Sequence, residues 1–206
     1  MPARRSPVDD SATRTALLDA TAELMLEEGY AAVTTRRLGA KAGLNNALVF
    51  YYFGTMDNLF TELFRRGAER SLERLKRALR SPQPLWAVWE LTHDYSSNAL
   101  TMEFIALANH RKAIRSEIAA YSRKFRMLQL ETLSDVLEGY GVDPQRWPPV
   151  TLILFMAGIS RFLHIEEGFD LDIGHAEAVA VIEREIRALE GDRRPAQDEA
   201  VAGPAE

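Results

Sequence analysis

The stretch Val33–Phe60, VTTRRLGAKAGLNNALVFYYFGTMDNLF, decides the fold. It reads as two short helices joined by a glycine turn, followed by the start of a third. Thr34 and Thr35 are placed to cap the first helix, whose inward side is Leu38 and Ala42. Gly43 supplies the sharp turn, because a residue without Cβ adopts positive φ at little cost. Asn45 can cap a second helix that carries Asn46, Leu48, Phe50, Tyr51 and Tyr52. A helix of this size with polar residues at its start fits the major groove of duplex DNA. The spacing predicts a helix-turn-helix.

Helical periodicity continues on both sides. Leu18, Ala22 and Met25 step by four and three between Ser11 and Glu28, with Leu17 and Leu24 beside them, and Gly29 ends that helix. Thr55 can cap a long helix from Met56 to Arg80, whose buried stripe is Leu59, Phe60, Leu63, Phe64, Leu75 and Leu79. Ser81-Pro82-Gln83-Pro84 breaks it. Downstream, helices are predicted over Leu85–Tyr95 and Leu100–His110. Another carries Ile114, Ile118, Tyr121, Phe125 and Leu128 and ends near Gly139 and Gly141. The next runs from Pro148-Pro149 to Glu167, and the last from Gly174 to Leu189. No strand pattern or repeat is visible, so the expected class is all-α. The expected organisation is a mobile arm over 1–10, a helix-turn-helix domain over 11–55, a larger helical domain over 56–190 and a disordered tail over 191–206. Arg4 and Arg5 on the arm can touch phosphate or the minor groove, or belong to an ordinary terminus.

Composition narrows the class. The chain has 206 residues, 47% hydrophobic and 27% charged, as in ordinary globular proteins. It has no cysteine, which excludes disulfides and thiolate metal sites. Residues 1–20 show no secretory pattern, so a cytoplasmic location is expected. The longest apolar run, Val150–Ile159, is about half of a bilayer crossing, and a buried helix is expected there rather than a membrane span. Net charge is −5, yet Arg36, Arg37 and Lys41 face no acid between Val33 and Met56, while acids gather after Glu166. The basic end is the end with the helix-turn-helix.

Residues 11–60 resemble the DNA-binding head of TetR-type (tetracycline-repressor-like) transcription regulators. Gly29, Val33, Thr34, Thr35, Leu38, Ala42, Gly43, Tyr51, Tyr52, Phe53, Asp57, Leu59 and Phe60 stand in the order that this family shows. The resemblance implies a three-helix head and a larger helical ligand-binding and dimerisation domain. It further implies a homodimer on a near-palindromic operator, usually repressing, and released by a small molecule. Two-fold symmetry then sets the recognition helices about 34–36 Å apart, or a multiple of that. By the same resemblance, Thr35, Arg36 and Arg37 match phosphate and groove-edge contacts. Asn46 can pair with adenine, Leu48 can pack on a thymine methyl, and Tyr51 and Tyr52 match an aromatic pair that meets phosphate and sugar. The chain departs from the family at Ala47-Leu48, at Phe50, where a phosphate-binding tyrosine is usual, and at Met56, where a lysine is usual.

The helix after Pro149 is apolar all round, which predicts burial on more than one side. Its Ile153, Ala157 and Gly158, with Val179, Ile182 and Ile186 of the last helix, are candidates for a four-helix dimer bundle; an ordinary core helix is the alternative. Trp89, His93, Phe104, Tyr121, Phe125 and Phe155 are candidates for a cavity that takes a bulky apolar effector, or else core. His93, His110 and His164 have no paired spacing, so no metal or cofactor is expected. No nucleophile–base pair or phosphate loop is visible, so no enzymatic activity is expected. A helical ligand- or partner-binding protein with weakened DNA affinity, suggested by Phe50 and Met56, is the competing reading.

Overall fold

The structure, a computed structural model, describes residues 7–93 and 95–194, with no side-chain description for 7–9 and 95–98. Arg4, Arg5 and most of the expected tail lie outside the described residues. Those described form α-helices, one short 3-10 helix and no strand. The fold is all-α. In chain order the helices are α1 (Pro7–Glu28), α2 (Thr35–Ala42), α3 (Ala47–Phe53), α4 (Met56–Leu79), α5 (Pro84–Thr92), α6 (Tyr95–Ala108), α7 (Lys112–Gly139), α8 (Pro149–Glu167) and α9 (His175–Glu190). The 3-10 turn, Tyr30–Ala32, follows α1 and has no apolar period to announce it. The first helix starts at Pro7, ahead of the predicted Ser11, with proline at its first position, where the missing N–H is no loss.

Contacts divide the chain into two units, one formed by Met1–Lys76 with His93–Glu131 and the other by Arg77–Thr92 with Thr132–Glu206. The first unit has a continuous core. Leu17, Leu24 and Met25 of α1 meet Leu38 of α2, Val49 and Phe53 of α3, and Leu59, Phe60 and Leu63 of α4. Phe104 and Leu107 of α6 and Ile114 of α7 complete the same cluster. Polar clasps fix that packing. The Glu103 carboxylate accepts the Tyr30 backbone N–H at 2.7 Å, and Arg111 pairs with Asp57 while its guanidinium lies 5.4 Å from the Phe60 ring centre.

In the second unit, Leu85, Trp86, Val88 and Trp89 of α5, Ile153, Met156 and Leu163 of α8, and Ile186 of α9 are buried. Glu190 caps α5 from the far end of the sequence, accepting the Leu85 and Trp86 backbone N–H groups at 2.8 and 3.1 Å. A carboxylate there satisfies otherwise orphaned donors and suits the positive end of the helix dipole. Buried Gln83 donates to the Glu190 and Asp192 carbonyls and accepts from Arg194 N–H. These bonds hold residues 191–194 in place, although the sequence reads as tail from 191. By length and apolar composition α8 is sufficient to cross a membrane, longer than the run Val150–Ile159 implied. One side of it is buried in this unit through Ile153, Met156, Ser160 and Leu163.

Candidate nucleic-acid interface

The turn between α2 and α3 follows from local chemistry. Thr34 is the N-cap of α2, its hydroxyl accepting the Arg37 N–H at 3.3 Å. Gly43 sits at φ 65° and ends α2 in a Schellman arrangement, with Leu44 N–H on the Gly39 carbonyl at 2.8 Å and Gly43 N–H on that of Ala40 at 3.3 Å. The Asn45 side chain accepts the Ala47 N–H at 2.9 Å and starts α3. Thr55 does the same for α4, accepting the Asn58 N–H at 3.1 Å, while the Asn58 amide donates to the Phe53 carbonyl.

Gly39 has a function that periodicity and capping do not assign. A Cβ there would stand 2.8 Å from the Leu44 carbonyl oxygen and 3.0 Å from the Asn46 nitrogen, both backbone atoms of the turn. α3 can approach α2 this closely only over a bare glycine. The sequence does hold a signal for it: a glycine inside an eight-residue helix lowers its propensity and needs a packing reason.

The polar residues of the motif divide into engaged and free. Arg37 pairs with Glu28, and this hydrogen bond holds the Glu28 carboxyl below its ordinary range. Lys41 reaches Glu27 at 2.8 Å and Glu23 at 3.4 Å, which raises its ammonium above the ordinary lysine value. The Tyr52 hydroxyl donates to Asp10 of α1 at 2.8 Å. Leu48 is half-buried against the core of the unit, as is Met56, which explains how the chain dispenses with a lysine there. Thr35 is half-buried at the first turn of α2. Arg36, Asn46, Phe50 and Tyr51 are exposed. Positions 46, 47, 50 and 51 step along one face of α3, opposite buried Val49 and Phe53. The Tyr51 ring is held edge-on to Tyr52, centroids 4.9 Å apart at 84°. Tyr52 therefore supports Tyr51 from behind. Tyr52→Phe is expected to cost about 1 kcal/mol of stability in thermal melts, and to change DNA affinity less than Tyr51→Phe does.

The candidates for the cavity do not form one group. Phe64 of α4 meets Phe104 and Tyr121 at centroid distances of 5.3 and 5.8 Å, and Tyr121 meets Phe125 at 5.6 Å. Phe104 belongs to the core of that unit. Burial pushes the Tyr121 phenol up to about 12, and the hydroxyl has no hydrogen-bond partner among the described residues. The neighbouring Ser71 side chain opposes that rise. His93 is exposed in the same unit. Trp89 and Phe155 fall in the second unit, where Trp89 is core and Phe155 is 52% exposed.

The dimer candidates divide in the same way. Ile153 and Ile186 are buried in their own unit, Ala157, Val179 and Ile182 are half-buried, and Gly158 is exposed. The outward side of α8 is instead Leu154, Phe155 and Phe162, one turn apart on either side of Gly158. A groove of about 390 Å³ adjoins it, lined by Gly158, Phe162, Leu163, Ile173 and Ala178, with His175 and Glu166 paired at 2.9 Å on its wall.

These elements define a class: an all-helical protein with a helix-turn-helix head built on the buried side of α1. Residues 17–63 match the family profile of bacterial regulatory proteins, tetR family. The HTH-type transcriptional repressor BepR of Brucella suis biovar 1 (strain 1330) is 23% identical over 202 residues, covering 90% of this chain and 97% of that protein. Among solved structures, a TetR transcription regulator from Haloarcula marismortui shares the fold with TM-score 0.69 at 16% identity, over 87% of this chain and 98% of that one. The fatty acid degradation regulator FadR from Bacillus halodurans does so with TM-score 0.65 at 15% identity, over 93% and 99%. Residues 17–63 thus carry the DNA-binding head of the tetR family of bacterial regulatory proteins, and the chain as a whole is similar in sequence and fold to TetR-type regulators.

Proposed function

We propose that the chain is a homodimeric, ligand-responsive repressor that acts in the cytoplasm on a near-palindromic operator. The observation that carries the reading is the outward face of α3, where Asn46, Ala47, Phe50 and Tyr51 stand exposed beside an exposed Arg36. Asn46 offers an amide to base edges, while Arg36 and the Tyr51 hydroxyl meet phosphates. Repression is supported by the repressor BepR, which aligns over nearly its whole length.

Dimerisation rests on α8. Phe155 and Phe162 are 52% and 58% exposed, and rings of that size on one helix face favour burial against a second copy. The effector site rests on the rings of Phe64, Tyr121 and Phe125, with the unpartnered Tyr121 hydroxyl as its polar anchor. A bulky, apolar molecule with one hydrogen-bond acceptor suits it.

Arg36→Ala combined with Tyr51→Ala tests the DNA-binding assignment. The expected result is a loss of affinity nearly uniform across sequences, with the salt slope shallower by about 1 for each phosphate contact removed. Unchanged binding at physiological salt would remove these residues from the interface.

A further inference from the structure

Engagement of the polar residues leaves α3 with an unusual reading surface. Asn45 is held by the Ala47 N–H, Arg37 by Glu28, Lys41 by Glu27 and Tyr52 by Asp10. Among the described residues of the α3 face, Asn46 alone presents a side-chain amide with no capping bond. The rest of the central face is apolar: the Ala47 methyl and the Phe50 ring, 54% exposed. An aromatic ring left in water at the centre of a DNA-reading helix needs an apolar partner on the DNA. Base edges in the major groove offer one such group, the thymine C5-methyl. Cytosine, guanine and adenine present only donors and acceptors there beside ring C–H.

Building on the DNA-binding assignment, we infer that Phe50 is a specificity-determining residue that reads thymine methyl groups, so that each operator half-site is centred on A·T pairs. The helix spacing agrees. Asn46 and Phe50 are separated by about 6 Å along the α3 axis, close to two base-pair steps of about 3.4 Å. An adenine read by the Asn46 amide and a thymine read by Phe50 thus fall within one short A·T run. Leu48, the residue the sequence suggested for this contact, is half-buried against the core of the unit, while Phe50 stands exposed.

The test removes only the methyl. The full-length protein is used to select binding sites from a random duplex pool. Each thymine of a half-site is then replaced singly by deoxyuridine, which keeps every hydrogen bond and lacks the C5-methyl. Affinities are read by fluorescence anisotropy. At one or two thymines per half-site, deoxyuridine is expected to weaken binding about four-fold, the worth of one buried methyl. Replacement in both half-sites should multiply the loss. In Phe50→Ala, overall affinity falls and the thymine-to-uracil ratio at that position drops to near one, whereas Phe50→Leu keeps part of it. Thermal melts of both variants establish that the head is intact, as expected for an exposed position.

A selected operator on which no thymine discriminates overturns the inference and leaves DNA binding standing. Discrimination that persists unchanged in Phe50→Ala also overturns it. A pool from which the protein selects nothing overturns the DNA-binding assignment, and the inference with it.

Discussion

Phe155→Asp combined with Phe162→Asp is expected to convert the proposed dimer to a monomer and to lower operator affinity by about 10²- to 10⁴-fold. Both rings stand half or more exposed on the outward side of α8, so the substitutions remove little from the subunit's own core. That core depends on the opposite side, Ile153, Met156 and Leu163. Carboxylates at these positions would have to be desolvated to pair with a second copy, at several kcal/mol each. The operator effect is larger than any single contact because a second head, once tethered, binds at high effective concentration. Sedimentation velocity reads the mass and anisotropy reads the affinity. A dimer that survives both substitutions would place the interface elsewhere.

Gly39→Ala gives the second large effect, and its sign is set by two opposed terms. Alanine in a helix is favoured over glycine by about 0.5–1 kcal/mol. Against this, the new Cβ meets backbone atoms at 2.8 and 3.0 Å, and backbone cannot swing aside as a side-chain end can. Overpacking of this kind costs about 1–3 kcal/mol, so the clash wins. The turn must open, and the outward face of α3 tilts from the groove. Loss of stability of about 1 kcal/mol or more should accompany a loss of DNA affinity greater than tenfold. Two glycines serve as controls. Gly67, inside α4 with nothing within 4 Å of its Cβ position, should gain stability as alanine. Gly43→Ala meets no atom but is strained at φ 65°, at about 1–2 kcal/mol. Urea midpoints for the three variants check the order.

Features of the head that depend on neighbours along the chain are legible in the sequence itself. Thr34 and Thr55 cap the helices predicted for them, because a cap needs only the next turn of chain, while Asn45 stands one residue ahead of the N-cap Asn46 and accepts the Ala47 N–H. Gly43 takes the positive φ that its turn requires. What stays hidden comes from distant residues. No local pattern says that the Tyr52 hydroxyl meets Asp10, that Arg37 and Lys41 are engaged by acids of α1, or that Glu103 caps the turn at Tyr30. Nor does the period of α6 reveal that Phe104 and Leu107 close the core beneath the helix-turn-helix. For α8 the sequence carries the amount of apolar surface but not its direction. A helix apolar all round has no moment to point with. Spacing alone therefore groups Ile153 with the outward residues and passes over Leu154 and Phe162.

The DNA-binding assignment is tested most directly by binding of the purified protein to duplex DNA from upstream of its own gene and to a pool-selected site. Fluorescence anisotropy is followed across a salt series, with random duplex as reference. The expected result is saturable binding at two chains per site, preferred over random DNA and falling steeply as salt rises. Binding to neither duplex, or binding that neither prefers a sequence nor responds to salt, would contradict it. The exposed face of α3 would then belong to a helical protein that has left DNA behind.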